Sequence, residues 1–138
     1  MLTNRSHKVG LNCWHLVWVT KYRYQMMREF GHKNLVVAAI RKAATEHGIA
    51  VHELEVMPDH VHLLAVLPGG MTDSEAFRVL KGRSAYLIFR NKPHDRLRYP
   101  RGHFWSPGGC AVTVGQSDYE QTKRYIQEQP EHHGAAVA

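Results

Sequence analysis

Cysteine is scarce in this sequence, and long apolar runs are missing. Only Cys13 and Cys110 occur, which excludes a disulfide-rich scaffold and a four-cysteine zinc site and fits a reducing cytoplasm better than secretion. The longest mainly apolar runs, 35–40 and 61–67 (with His62 inside the second), are far shorter than the roughly 20 residues that cross a bilayer. The first eight residues also lack the apolar stretch of a signal peptide. The sequence therefore predicts a soluble, cytoplasmic protein.

Acidic residues are also in short supply. The chain has 12 of them against 18 lysines and arginines, which gives a net charge of +6 with neutral histidines and an isoelectric point near 9.6. This balance favours a polyanionic partner, and nucleic acid is the first candidate. The length of 138 residues is close to the roughly 150 residues of an average domain. We therefore expect one domain over 1–138.

Hydrophobic periodicity divides the chain into strands and helices. Two helix starts have capping-box spacing, Thr72 with Glu75 and Ser117 with Glu120, and Pro130 would stop the last helix. The order of the strands and helices, β-α-β-β-α-β, predicts an α+β fold of the ferredoxin-like (RRM-like) split βαβ type. In this fold an antiparallel sheet has helices on one face. A short terminal helix follows, and the pattern leaves open whether it finds a complete groove on its own subunit. The expected elements are strand 12–20, helix 32–47, strands 51–57 and 60–67, helix 72–91, strand 110–114 and helix 117–129.

Two histidines alternate along the third predicted strand. Side chains at positions i and i+2 share a face and lie about 6.5–7 Å apart, so His60 and His62 could hold one metal ion above the sheet. Chance is the competing explanation in a chain with 11 histidines. The apolar register at 61, 63, 65 and 67 marks the opposite face as the buried one. The histidine face is thereby left for a site or for solvent, because unpaired imidazoles are costly to bury.

The predicted terminal helix carries Tyr125 and Gln129, which are four residues apart and share one face. A phenol is a weak nucleophile that a metal or a nearby cation can activate, and an amide oxygen is a hard ligand for magnesium or manganese. A tyrosine at helical spacing is more often a core or rim residue, so spacing alone leaves both interpretations open. Pro130 disfavours a helical conformation at Gln129, so the aim of Gln129 depends on the last helical turn.

Glycines mark two further positions. Gly82 lies inside a predicted helix, where it costs about 1 kcal/mol relative to alanine, and this indicates close packing or a ligand. Gly108 and Gly109 predict an unusually loose approach to the last strand.

Taken together, these motifs resemble a known family. The stretch around the histidine pair resembles the metal-binding strand of the small single-tyrosine HUH transposases, in which U is a bulky apolar residue. These are TnpA-type enzymes of the smallest bacterial and archaeal insertion sequences. The resemblance spans roughly residues 12–129 in the family's order. Its blocks are HLVWVTKYR (15–23), EVMPDHVHLL (55–64), LKGRSA (80–85), FWSP (104–107), TVG (113–115) and KRYIQEQ (123–129).

The resemblance implies a role for each matching residue. His60 and His62 match the two histidine ligands of Mg²⁺ or Mn²⁺, Gln129 matches the third ligand, and Tyr125 matches the nucleophile. Tyr119 is a competing tyrosine without a glutamine four residues later. The implied reaction cleaves and rejoins single-stranded DNA near terminal hairpins through a 5′-phosphotyrosine. The implied assembly is a homodimer that exchanges its terminal helices.

Basic residues within the matching blocks are candidates for DNA contact, and neighbouring aromatic residues either stack on bases or pack at the rim. Two alternatives remain: a domesticated relative that processes repeated chromosomal hairpins, and a non-catalytic ferredoxin-like module that binds nucleic acid. The basic candidates are Lys21, Arg23, Lys81 and Arg83, and the aromatic ones are Tyr22, Tyr24 and Trp105.

Overall fold

Four antiparallel strands form one sheet in the order β2-β3-β1-β4. The computed structural model describes residues 12–130. The strand–helix order confirms the predicted α+β, ferredoxin-like fold, whereas the single domain over 1–138 stays a prediction. The elements are β1 (Cys13–Val19), α1 (Phe30–Glu46), β2 (Ala50–Val56), β3 (His60–Val66), α2 (Asp73–Asn91), β4 (Cys110–Thr113) and α3 (Tyr119–Gln127).

One face of the sheet is covered by α1 and α2. Alternate residues of β3, Val61, Leu63 and Ala65, are fully buried in the main core with Leu16 and Trp18 of β1. Burial of each large aliphatic side chain contributes about 1.5–3 kcal/mol. The alternation therefore fixes the register of the strand, because a slip by one residue would drive the histidines into this core.

The other face is covered in part by α3, which packs on the sheet of its own chain. Ile126 is fully buried there, in a small apolar cluster with Cys13, Leu64 and Val114. A bulge between Val51 and Glu53 adds His52 to β2. The terminal helix thus does find a docking surface within its own chain.

The two predicted capping boxes have different outcomes. Thr72 accepts a hydrogen bond from the backbone of Glu75, and the Glu75 carboxylate accepts from the backbone of Thr72, so the first box is present. The second is wrong, because Ser117 lies in a 3₁₀ turn at Gln116–Asp118 and Asp118 is the uncapped residue before α3. Pro130 does not end α3 either, since the helix stops at Gln127.

The loose approach predicted for the last strand is wrong at Gly109. A Cβ built there would lie 2.7 Å from the Phe77 ring and 2.7 Å from the carbonyl oxygen of Val17. Close packing at Gly82 is also wrong, because a Cβ at that position meets nothing within 4 Å. The tight contact therefore lies at Gly109, just before β4, whereas Gly82 in α2 faces open space.

Replacing each of these glycines by alanine should change stability in opposite directions. Gly109→Ala is expected to lower the free energy of unfolding by about 1–3 kcal/mol, because backbone must shift away from the new methyl group. Gly82→Ala is expected to raise it by up to about 1 kcal/mol through helix propensity. Urea unfolding of both variants checks this, and equal effects would contradict the close approach at Gly109.

Within residues 12–130, none of the helices combines the length and the apolar character needed to cross a membrane.

Candidate active site

The histidine pair lies on the α3 side of β3. The rings of His60 and His62 have centroids 5.1 Å apart and are inclined by 73°. His62 is 6% exposed, and it lies opposite Val17 of the central strand β1. Strand alternation therefore brings both imidazoles to one spot on the sheet, as the spacing predicted.

A carboxylate holds the first histidine. Asp59 Oδ1 lies 2.8 Å from His60 Nδ1, and Asp59 Oδ2 accepts from the Arg23 guanidinium at 3.0–3.1 Å. Burial acts to raise the pKa of Asp59, but the hydrogen bonds from His60 and Arg23 outweigh it and lower the pKa. The carboxylate is therefore ionised near neutral pH. Asp59 was not among the candidates from the sequence.

His62 contacts a third histidine, His15. His15 Nε2 lies 3.0 Å from His62 Nδ1, and the rings are stacked. Burial lowers the pKa of His15 and so favours its neutral ring. In one tautomer of the pair, the Nε2 of His15 accepts a hydrogen bond from the Nδ1–H of His62. A metal on either histidine of the pair would then bind through Nε2. His15 was not among the candidates from the sequence, because its contact with His62 follows only from the strand register.

Tyr125 lies beside these rings in the same chain. Its ring centroid is 5.9 Å from that of His62 and 6.2 Å from that of His15, edge-on to both. Tyr125 is 48% exposed, whereas the next residue, Ile126, is fully buried and anchors α3. The geometry thus brings the predicted nucleophile together with the two histidines predicted to bind metal.

The other two predicted candidates of the terminal segment have separate surroundings. Gln129 is 3% exposed, and its Nε2 donates to the carbonyl of Tyr125 at 3.4 Å. The hydroxyl of Tyr119 is 2.5 Å from His52 Nδ1, and burial raises the Tyr119 pKa. Tyr119 therefore helps to dock α3 on the bulge of β2.

The histidine pair offers two imidazole donors to one metal ion, and metal binding there stays a prediction. Among residues 12–130, no cluster of three or more histidine, cysteine or acidic side chains could hold a metal. His60 and His62 would therefore need oxygen ligands, such as the amide of Gln129 or a substrate phosphate. Two imidazoles with such oxygens suit Mn²⁺, and the oxygens suit Mg²⁺.

The four basic candidates for DNA contact fall into two groups. Lys21 and Lys81 line a cavity of about 1310 Å³ beside α2, which also has Arg90, Arg96 and Arg101 on its wall. Arg23 forms an ion pair with Asp59, and Arg83 forms a bidentate ion pair with the carboxylate of Glu46.

The aromatic candidates differ in exposure. Trp105 is 5% exposed, and its indole donates to Ser84 Oγ at 2.9 Å. Trp105 is therefore mainly a packing residue. Tyr22 is 54% exposed, and the Arg98 guanidinium lies 4.3 Å from the centre of the Tyr24 ring.

Comparisons with known proteins give a consistent family. The model of the IS200-like transposases matches residues 9–129. The ISDra2 transposase TnpA of Deinococcus radiodurans is 34% identical over 119 residues, covering 84% of this chain and 82% of that protein. The transposase for insertion sequence element IS200 of Salmonella typhimurium is 31% identical over 122 residues, covering 87% and 78%.

Solved structures agree with the fold. A crystal structure of a transposase from Deinococcus radiodurans R1 has a TM-score of 0.68 at 34% identity, covering 85% of this chain and 89% of that one. A REP-associated tyrosine transposase bound to a REP hairpin has a TM-score of 0.67 at 20% identity, covering 90% and 69%. At that identity the second likeness supports the fold alone.

Proposed function

This chain belongs to the IS200-like transposases, and from that premise we propose that it cleaves and rejoins single-stranded DNA at the ends of an insertion sequence. The observation that carries the proposal is the exposed phenol of Tyr125 beside the paired rings of His60 and His62. In this proposal Tyr125 is the nucleophile, and the product is a 5′-phosphotyrosine.

The proposed chemistry is a transfer between oxygens. The phenol oxygen of Tyr125 forms a bond to the scissile phosphorus as the bond from phosphorus to the 3′-oxygen breaks, and the departing oxygen ends as a 3′-hydroxyl carrying a proton. The phosphodiester is kept as the link to tyrosine, so another 3′-hydroxyl can reverse the step and join new ends. The half-exposed position of Tyr125 leaves the phenol accessible to a DNA backbone.

The residues that would hold Mg²⁺ or Mn²⁺ are His60, His62 and Gln129. Such an ion would polarise the scissile phosphate and stabilise charge on the departing oxygen. The contacts of Asp59 and His15 hold the two imidazoles in place, which is the kind of support that metal-binding histidines receive in other proteins. Gln129 is buried just after α3, four residues beyond Tyr125, and its amide oxygen would be the third ligand.

The proposed substrate is single-stranded DNA with terminal hairpins. The basic cavity beside α2 supports a polyanionic partner, and the hairpin is the part of the substrate that the family resemblance implies. We assign phosphate contact first to Lys21 and Lys81, because Arg23 and Arg83 are engaged with carboxylates.

Removing Lys21 and Lys81 together should weaken DNA binding and its dependence on salt. On single strands each lost phosphate contact is expected to reduce the slope of log K against log salt by about 0.7, so the double alanine variant should lose about 1.4. Fluorescence anisotropy over a salt series measures the slope. Arg83→Ala removes a paired charge and serves as the control. An equal loss of slope in the control would contradict the assignment.

The assembly is also a proposal. The family resemblance favours a homodimer with exchanged terminal helices, whereas the docking of α3 on its own sheet places Tyr125 beside His62 of the same chain. We propose a homodimer and keep both origins of the tyrosine open to the mixing experiment described in the Discussion.

The function is tested by incubating the wild-type protein with a single-stranded hairpin DNA and Mn²⁺. A covalent adduct that survives denaturing electrophoresis, mapped to the peptide with Tyr125, is the expected result. DNA binding without any adduct would instead favour the non-catalytic nucleic-acid-binding module. A domesticated relative that processes repeated chromosomal hairpins would form the same adduct, and terminal hairpins flanking the gene distinguish the mobile element from it.

A further inference from the structure

A strained turn follows the first strand. Tyr22 and Arg23 have φ angles of 62° and 54°, in the left-handed region that side chains other than glycine rarely adopt. The turn is held by backbone hydrogen bonds from Arg23 to Thr20 at 3.0 Å and from Lys21 to Phe104 at 2.9 Å. Two consecutive left-handed residues persist only where the surroundings over-determine them, and such strain clusters at functional sites.

The turn directs the side chain of Arg23 back toward the start of β3. Its Nε and terminal nitrogen lie 3.1 and 3.0 Å from Oδ2 of Asp59. The backbone of Asp59 is fixed as well, because its carbonyl accepts from the amide of Thr20 at 3.0 Å. Both ends of the aspartate are therefore tied to the segment that leaves β1.

The remaining carboxylate oxygen of Asp59 faces the histidine pair. Oδ1 lies 2.8 Å from Nδ1 of His60, so the guanidinium and the imidazole bind different oxygens of one carboxylate. An Nδ1–H that donates to Asp59 puts the lone pair of His60 on Nε2 and limits rotation of the ring. Arg23 in turn limits rotation of the carboxylate.

We propose that Arg23 and Asp59 are positioning residues that set the tautomer and orientation of His60 for metal binding. The inference rests on the proposed function, in which His60 is a metal ligand. Under this proposal Arg23, which the sequence analysis named as a candidate for DNA contact, supports the candidate active site instead. A solvated surface ion pair would not require the left-handed conformations of Tyr22 and Arg23.

Mn²⁺ binding in the absence of DNA tests the proposal, followed through the electron paramagnetic resonance signal of the free ion. Asp59→Ala is expected to weaken binding by about 10–100-fold, the usual effect of removing such a support. Arg23→Ala should weaken it less, and Arg23→Lys should restore part of the loss. Arg98→Ala is the matched control, because it removes an equal charge near the same turn and its guanidinium lies over Tyr24.

Two metal-free measurements separate positioning from other roles. Long-range ¹H–¹⁵N spectra of the neutral imidazoles should show His60 protonated at Nδ1 in the wild type and a mixture of tautomers in Asp59→Ala. Binding of hairpin DNA without metal should be the same for Arg23→Ala and Arg98→Ala. A larger loss of DNA affinity for Arg23→Ala, with Mn²⁺ affinity unchanged, would make Arg23 a DNA contact and overturn the proposal.

The remaining outcomes distinguish this inference from the function on which it rests. A wild type that binds Mn²⁺, with Asp59→Ala and Arg23→Ala binding equally well, overturns the positioning role alone. A wild type that binds no Mn²⁺ overturns the metal site and the positioning role together. The tautomer measurement remains informative if Asp59→Ala folds poorly, because the exposed Arg23 can be replaced separately.

Discussion

Tyr125→Phe is expected to form no covalent adduct with hairpin DNA while still binding it. The substitution removes one oxygen from a half-exposed ring and leaves Ile126, which anchors α3, in place. Without that oxygen there is no atom at this position to accept the phosphate, so the loss should be complete. Denaturing electrophoresis with Mn²⁺ measures the adduct, and anisotropy without metal measures binding.

Tyr119→Phe is the matched control for this prediction. It removes the same atom from the same helix, but that hydroxyl is bonded to His52. We expect normal adduct formation and a decrease of about 1 kcal/mol in the free energy of unfolding. An adduct that persists in Tyr125→Phe and disappears in Tyr119→Phe would transfer the nucleophile to Tyr119 and overturn the proposed site.

His62→Ala is expected to reduce single-turnover cleavage by at least about 100-fold and to abolish measurable Mn²⁺ binding. The side chain is nearly buried between His15, His60 and Tyr125, and the substitution removes one of the two imidazoles proposed to bind the metal. His47→Ala is the control, because His47 Nδ1 contacts the carbonyl of Ala43 in its own helix. Cleavage by His62→Ala at the wild-type rate would exclude a metal-binding role.

Mixing the two inactive variants tests where the tyrosine comes from. In a dimer with exchanged helices, the Tyr125 of His62→Ala meets the intact histidines of Tyr125→Phe, and one working site is restored. Where each tyrosine serves its own chain, the mixture stays inactive. Recovery of cleavage after refolding the two together would therefore support exchange, and its absence would support the intrachain arrangement seen at α3.

The strands and the first two helices could be predicted from local pattern alone. Alternation in β3 placed Val61, Leu63 and Ala65 in the main core and the histidines on the other face, because successive side chains of a strand point to opposite faces. Thr72 and Glu75 cap α2 as their spacing indicated, since both partners lie within one helical turn. These features depend only on neighbouring residues.

The docking of α3 could not be predicted in this way. It depends on Ile126 reaching a small apolar cluster and on a bulge that presents His52 to Tyr119. A capping-box spacing at Ser117 carried no information, because a 3₁₀ turn there displaced the start of the helix. The position of α3 is thus set by contacts with strands that are far from it in the sequence.

The candidate site also combines features that the local sequence reveals with features that depend on distant contacts. The spacing of His60 and His62 and that of Tyr125 and Gln129 were visible in the sequence, and the structure brings the histidines and the tyrosine together. The contacts of His15 and Arg23 were not visible, because one needs the register of β1 against β3 and the other needs a left-handed turn. Support for a site is harder to read than the site itself, since it comes from other parts of the chain.

The small cluster beneath α3 has a consequence for the energetics of the molecule. Its four buried residues, Cys13, Leu64, Val114 and Ile126, are separate from the main core between the sheet and the other two helices. Detaching α3 therefore exposes far less apolar surface than opening the whole fold. Tyr125, the proposed nucleophile, is carried by a helix that this small cluster holds, so local release of α3 would separate Tyr125 from the histidines while the main core stays folded.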